Sequence, residues 1–359
     1  MTNRKKVRVA VAGFGFGSLF AKLFKAHPDV EYVGICETSS DKIAAAKAAG
    51  FTRILEDYRE ALDGDAYDAV HLALPVEHHV QPTLDVLAAG KHCACAVPMG
   101  FTIDELRQVV KAERKSGMNY MMMETNVYVK SYLFLKDLFE KGEFGRVQYL
   151  RGIHSQAMEN WPGAWLGLPP MWYATHAVGP LLALVKSRAT RVVCHGSGDM
   201  SDELVKKHHN PFPVETMTFT VENCKAVGEV VRTLFETAPM GGENFEVYGS
   251  RASFSSIYGT LSVMGDKLAT PGGRGLPVTF TRPEIPMRWD LLPEEFKQFD
   301  MRGHGDAAMH LVHEFVRSTV EKRKSAINAV TAANWCAVGI RAHESAMAGG
   351  KLVDVPKFD

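Results

Sequence analysis

Tyr173-Ala-Thr-His176 sets a phenol and an imidazole three residues apart, a spacing that brings two side chains to one face of a helical turn. An imidazole titrates close enough to neutral pH to take up and return a proton, so His176 is a candidate base and Tyr173 a group that could share or orient the same proton. His154 ends the alternating run Val147–His154 and offers a second imidazole of the same kind. His304, flanked by Gly303 and Gly305 ahead of a long helical pattern, is a further candidate, because glycine-rich turns bring a side chain close to a ligand. Elsewhere such a group is missing. CAVPMG, Cys95 to Gly100, falls where an alternating α/β domain reaches its catalytic edge, and Val97 there can neither give nor accept a proton.

Another constellation binds rather than reacts. The apolar run Val7–Ala12 leads into Gly13-Phe14-Gly15-Phe16-Gly17-Ser18 and then a helical pattern through Leu19, Phe20, Leu23 and Phe24. Gly13 permits a tight turn, Gly15 lets backbone approach a pyrophosphate, and the following helix offers its N-terminal N–H groups to the anion. Ser18 stands where a third glycine usually stands and is small enough for close helix packing. Glu37 closes the next strand about 20 residues on, the place for a carboxylate that accepts from a ribose 2′-hydroxyl and repels a 2′-phosphate. The spacing therefore predicts a dinucleotide site that takes NAD rather than NADP.

These residues need a frame. Tyr32–Cys36, Ala69–Leu74, Lys91–Val97 and Asn119–Met123 read as further strands, alternating with amphipathic helical segments that include Thr102–Ser116. The rhythm predicts an α/β Rossmann domain with a doubly wound parallel sheet over residues 1–125. Beyond it, a helix at Lys130–Lys141 is followed by alternating runs at Val147–His154, Val192–Gly196, Thr216–Val221, Ala226–Phe235 and Phe245–Gly249. Helical periodicity returns at Asp306–Lys322 and Ala329–Met347. Residues 126–359 thus read as an α+β substrate-binding and oligomerisation domain with an open, largely antiparallel sheet. The Gly/Pro-rich stretch Thr270–Pro286 reads as a surface connection.

Composition narrows the classes of ligand. Forty-one basic residues balance forty-one acidic ones in 359, so no global field draws the chain to nucleic acid or to an anionic membrane. No apolar run approaches the ~18 residues of a membrane span. The six cysteines show neither disulfide rhythm nor a paired metal spacing, which predicts a cytoplasmic protein without a metal site. The basic-then-apolar start resembles a signal peptide, but Arg8 and three glycines interrupt the apolar run.

With Ala73-Leu74-Pro75 and His79, then Ala89-Gly-Lys91-His92, the chain resembles the Gfo/Idh/MocA oxidoreductase family over essentially its whole length. The resemblance implies a Rossmann domain, a C-terminal domain whose open sheet carries sugars, and a homo-oligomer. It implies that Pro75 and His79 flank the nicotinamide ribose, with Leu74, Val97 and Pro98 also on the cofactor side. Most members place Glu-Lys-Pro where this chain has Ala96-Val97-Pro98, and that lysine polarises or deprotonates the hydroxyl being oxidised. One branch also has valine before the proline: the NAD-dependent glycosidases typified by the α-N-acetylgalactosaminidases. Met122-Met-Glu124 followed by Tyr128, Gly142 to Gly145, Tyr173-Ala-Thr-His176 followed by Gly179-Pro180, and Gly303-His304-Gly305 look like that branch. The departures are Ala96 in place of the branch's glutamate and His154 in place of its tyrosine.

What this branch implies is hydrolysis by a redox detour. Hydride leaves C3 of the sugar for NAD while a base takes the O3 proton, and the new ketone acidifies the C2 hydrogen. A second base removes that hydrogen, the C1 oxygen leaves, water adds at C1, and the hydride returns. No facing carboxylate pair of the ordinary kind stands out in the sequence, and this route needs none. The resemblance casts His176 as the O3 base, Tyr173 as its partner, His154 as the C2 base, and Tyr128, Lys130 and His304 as sugar-binding residues. An NAD-dependent sugar or cyclitol dehydrogenase and a catalytically silent NAD- or sugar-sensing protein are the alternatives. Val97 together with Tyr173 and His176 favours the glycosidase.

Overall fold

The computed structural model describes residues 6–265, 276–299 and 304–359. In chain order the strands and helices are β1 (Val7–Ala12), α1 (Gly17–Ala26), β2 (Val30–Cys36), α2 (Ser40–Ala48), β3 (Arg53–Leu55), β4 (Ala69–Leu72), α3 (Val80–Ala88), β5 (His92–Cys95), α4 (Ile103–Ser116) and β6 (Tyr120–Met122). Then follow α5 (Lys130–Glu140), β7 (Val147–Ser155), α6 (Thr175–Leu184), β8 (Ala189–Ser197), α7 (Asp202–His208), β9 (Val214–Val221), β10 (Cys224–Thr233) and β11 (Glu243–Gly249). The chain closes with β12 (Ala252–Ser255), β13 (Thr260–Met264), β14 (Val278–Thr281), α8 (Gly305–Val320), α9 (Ala329–Met347) and β15 (Val353–Asp354).

The first of two compact units holds a six-stranded sheet in the order β3-β2-β1-β4-β5-β6, with every pairing parallel. Parallel strands covered on both faces must be apolar throughout, and Val9, Ala10, Val11 and Ala12 of β1 are all buried. α4 begins in a capping box: Thr102 Oγ1 accepts from Glu105 N at 3.2 Å, and Glu105 accepts from Thr102 N at 2.9 Å. β3 has no counterpart in the periodicity reading, since three half-exposed residues led by an arginine make too short a pattern.

This unit comprises residues 1–128, 287–336 and 358–359, so the contiguous division at residue 125 expected from the sequence does not hold. The reason is the apolar face of α8. Phe315 meets Phe24 of α1 edge-on at 6.2 Å, and Ser318 Oγ accepts from Asn119 Nδ2 at 2.7 Å. Just beyond α8, Ser325 N donates to Asn119 Oδ1 at 2.9 Å.

The second unit comprises residues 129–286 and 337–357 and holds a nine-stranded sheet in the order β14-β13-β12-β11-β7-β10-β9-β8-β15. The sheet is largely antiparallel, with β7 and β10 its one parallel pair among the described residues. α6 lies against β7, and Gly152 allows the close approach: a Cβ there would stand 2.4 Å from the Ala177 carbonyl oxygen. Part of the stretch expected to be a surface connection is a strand instead. Val278–Thr281, an alternation of Val, Thr and Phe, pairs with β13 as the sheet's last strand, while residues 270–275 lie outside the described ones.

Candidate active site

In the first unit, the cofactor candidates gather at the C-terminal ends of the parallel strands, on either side of the β1/β4 boundary where the strand order reverses. Gly13 follows β1 with φ +93°, and a Cβ on it would lie 2.4 Å from Ala73 O. Gly17, the first residue of α1, packs so tightly that a Cβ would stand 2.9 Å from Ala73 Cβ and 3.2 Å from Val11 Cγ1. The close-packing role that spacing gives to Ser18 therefore belongs to Gly17. Above Gly15 there is room: within 4 Å a Cβ would meet only the Lys42 side chain, with Nζ at 3.7 Å. Phe16 caps α1 without a side-chain acceptor, which leaves the helix's first N–H groups for an anion. A pyrophosphate fits this cradle.

Glu37 is the hub of the turn. Its Oε2 accepts from Phe14 N at 2.9 Å, and its Oε1 accepts from Thr38 N at 3.0 Å and Ser39 N at 3.1 Å. Burial alone would raise its pKa. The three backbone N–H groups and Lys42, 3.7 Å away, outweigh burial and hold it below the ordinary carboxylate value. Oε2 keeps a lone pair for a ribose hydroxyl. Calorimetric titration of the protein should show tighter binding of NAD than of NADP, and Glu37→Gln should narrow the preference by about tenfold. Tighter NADP binding by the wild type would remove Glu37 from this role.

His79 is occupied by the protein itself. Its Nδ1 lies 2.7 Å from Pro98 O and its Nε2 3.0 Å from Leu74 O, so it ties the segments after β4 and β5 together. Burial lowers its pKa against the pull of those two carbonyls, and neither ring nitrogen is left over for a ribose. Pro75 is exposed, Leu74 half-buried, and Val97 and Pro98 buried. His304 caps α8 and meets Phe16 edge-on at 6.1 Å, which places it beside the glycine turn. Gly303 lies outside the described residues. Tyr128 stacks on His310 of α8 with centroids 6.1 Å apart.

In the second unit the structure brings three sequence candidates together. A short turn, Pro170–Tyr173, runs into α6, and Tyr173 Oη lies 3.0 Å from His176 Nε2. The His154 ring stands edge-on to that of His176 at 5.0 Å and lies 5.8 Å from Tyr173. His154 does not face the open side of the sheet. It alternates in phase with Gly152 on the face that α6 covers, and it is 0% exposed. Lys130, the remaining sugar-binding candidate, is exposed at the start of α5.

Two further residues complete the cluster. Glu243 and Arg232 both stand opposite His154, on β11 and β10, so three neighbouring strands present Glu, His and Arg in one row. Glu243 Oε1 lies 3.8 Å from His154 Nε2, and its Oε2 lies 4.0 Å from His176 Nδ1. Arg232 is 0% exposed, donating from Nε to Tyr173 O at 2.9 Å, from Nη1 to His154 O at 3.1 Å and from Nη2 to Gln156 Oε1 at 2.6 Å. Burial lowers its pKa to about 9 while Tyr173 and Glu243 raise it, so it remains charged at neutral pH. Both residues carry a signal in the sequence. Arg232 falls in phase with the buried Ala226 and Val230, and Glu243 with Phe245 and Val247. A charge in the buried phase of a strand needs a partner.

Among the described residues, no group of three or more His, Cys, Asp or Glu is placed to hold a metal ion, and no helix is long and apolar enough to cross a membrane.

Residues 7–124 match the model of the Gfo/Idh/MocA oxidoreductase family, NAD-binding Rossmann fold. The N-terminal domain belongs to the Gfo/Idh/MocA oxidoreductases. Curated relatives of this chain include a glycosyl hydrolase family 109 protein of Saccharopolyspora erythraea, 28% identical over 211 residues or 52% of the chain. Another is glycosyl hydrolase family 109 protein 1 of Bacteroides fragilis, 26% identical over 199 residues or 50% of the chain. The chain spans less than half the length of these relatives, 46% and 43%. Among solved structures, levoglucosan dehydrogenase in complex with NADH and levoglucosan shares the fold with a TM-score of 0.78 at 22% identity, over 98% of this chain and 100% of that one. Myo-inositol 2-dehydrogenase from Lactobacillus plantarum does so with a TM-score of 0.75 at 18% identity, over 98% and 100%.

Proposed function

We propose that the protein is an NAD-dependent glycoside hydrolase that oxidises its sugar transiently at C3, eliminates across C1 and C2, adds water and reduces the product. What carries this reading is the cluster of two imidazoles around one carboxylate, beside a phenol, in a chain whose Val97 replaces the usual lysine. A simple alcohol oxidation needs one proton acceptor. The elimination route needs two, for O3 and for C2, and His176 and His154 supply them. The family 109 names of the curated relatives support the same reading.

Bound NAD supplies reversible hydride acceptance at C3. Gly13 to Gly17 and Glu37 hold the dinucleotide. Tyr173 and His176 take the O3 proton and later return it, and His154 takes the C2 proton once C3 is a ketone. Lys130, Tyr128 and His304 remain proposed sugar contacts. The sugar, anomer and aglycone are set by contacts these residues do not specify. All six cysteines are free thiols, which suits a cytoplasmic protein, and we expect a homo-oligomer, which light scattering of the purified protein tests.

The full-length fold match to sugar dehydrogenases favours one second reading, an NAD-dependent sugar or cyclitol dehydrogenase. A panel of nitrophenyl glycosides, each incubated with and without NAD, separates the two. Nitrophenol release that requires NAD but accumulates no NADH establishes the hydrolase. Stoichiometric NADH from free sugars, with no nitrophenol release, establishes the dehydrogenase and removes the primary proposal.

A further inference from the structure

We propose that Glu243 is the positioning residue that joins Tyr173, His176 and His154 into one proton-handling unit, setting the tautomer of both imidazoles and stabilising a proton held by either. The inference rests on the hydrolase reading for its catalytic meaning, but its geometry stands apart from it. Each carboxylate oxygen addresses a different ring: Oε1 faces His154 Nε2 at 3.8 Å and Oε2 faces His176 Nδ1 at 4.0 Å. A carboxylate facing Nδ1 favours the tautomer with its N–H on Nδ1, which leaves Nε2 to accept from the Tyr173 phenol 3.0 Å away. The order phenol, imidazole, carboxylate is that of a base oriented by a third group. Here the carboxylate has a second imidazole on its other oxygen. At 3.8 and 4.0 Å these are ion-pair separations, and a hydrogen bond forms when the site tightens around substrate or through one water.

The charges around Glu243 show what it does for the protons. Facing it are His154 from β7, His176 from α6 and Arg232 from β10, with Tyr173, from the turn before α6, bonded to the far nitrogen of His176. Arg232 spends its donors on the backbone carbonyls of Tyr173, His154 and Thr233 and on Gln156, so it balances the carboxylate at a distance without occupying it. With both imidazoles neutral the cluster has no net charge. One added proton is shared with Glu243, but a second would put two imidazolium rings 5.0 Å apart beside a guanidinium. The cluster therefore accepts protons one at a time. The O3 proton must be passed on before His154 can take the proton from C2, and Glu243 lies between the two rings along that path.

The test uses the full chain with NAD bound, in the wild type, Glu243→Gln and Glu243→Asp. Imidazole NMR titration, with signals assigned by the two His→Ala variants, reads the coupling without any turnover. Glu243→Gln should move the midpoints of both histidines to lower pH by on the order of one unit, and Glu243→Asp should recover most of that shift. On a substrate, Glu243→Gln should lower kcat by about 10–10²-fold with little change in KM, and should shift the acid limb of kcat/KM to lower pH. An unmoved midpoint at either histidine overturns the proposal, even if kcat falls, because a merely structural carboxylate would also lower kcat. If neither substrate class turns over while both midpoints shift, the hydrolase reading fails and the role of Glu243 stands. Should Glu243→Gln not fold, Glu243→Asp decides: its shortened side chain must still couple both rings.

Discussion

His176→Ala is expected to lower turnover by about 10²–10⁴-fold while leaving NAD affinity unchanged. The variant removes the imidazole on which Tyr173 Oη depends and one of the two rings facing Glu243. The glycine turn and Glu37 belong to the other compact unit and lose nothing by the change. His176→Gln is the control for packing, since an amide can still accept from the phenol but cannot hold a proton at neutral pH. Adding Val97→Lys to His176→Ala should not restore activity. Val97 is buried, so an amine placed there carries the cost of a buried charge, and a group introduced without a shell built to aim it does not reproduce a catalytic lysine. Steady-state kinetics with calorimetric NAD titration checks both statements. Near-wild-type turnover in His176→Ala would reduce the Tyr173–His176 pair to a packing motif.

His154→Ala should separate the two halves of the chemistry. If His154 takes the C2 proton, the variant still transfers the first hydride, visible as NADH absorbance on mixing, but stops before elimination. Wild-type product formed in D₂O should then carry deuterium at C2, whereas a plain C3 dehydrogenase has no cause to exchange that position. His154 is 0% exposed while the Glu243 side chain is 16% exposed, so the exchange runs through the carboxylate and deuterium incorporation is incomplete when turnover outpaces it. The variant should lose C2 exchange and product release together, with the NADH burst retained. Retention of both would dismiss His154 as the base and leave Tyr128 or Tyr173 as the next candidates. A thermal midpoint measured alongside distinguishes lost chemistry from a cavity in the core, which costs about 2–5 kcal/mol for a large-to-small change.

Local pattern made half of this molecule legible. β1, the glycine turn and Glu37 could be placed because strand, turn and helix follow one another without long-range information, and Gly13 and Glu37 stand where the spacing predicts. Only the close-packing glycine was misplaced by one position, at Ser18 instead of Gly17, because a one-letter pattern does not say which small residue meets the strand. The discontinuous first unit was hidden for a different reason. α8 reads as an ordinary amphipathic helix, and nothing in its periodicity names Phe24 and Asn119 as the surface it covers. His154 shows the same limit: alternation sorts β7 into two faces but does not say which one α6 will close. Glu243 and Arg232 were within reach, since both interrupt an apolar phase, but their meeting at His154 depends on the pairing of three strands.

The parallel pairing of β7 with β10 also governs when the site comes into being during folding. Arg232 bonds the His154 carbonyl across 78 residues of chain, and Glu243 arrives from still further along. A parallel pair cannot close through a hairpin, and here α6, β8, α7 and β9 lie in the connection between its two strands. Closing so long a loop draws on chain entropy before any contact rewards it, which makes such pairings late and slow. The proton-handling cluster thus depends on long-range strand pairing, and a nascent chain that ends before β11 holds the phenol and both imidazoles without the carboxylate that unites them.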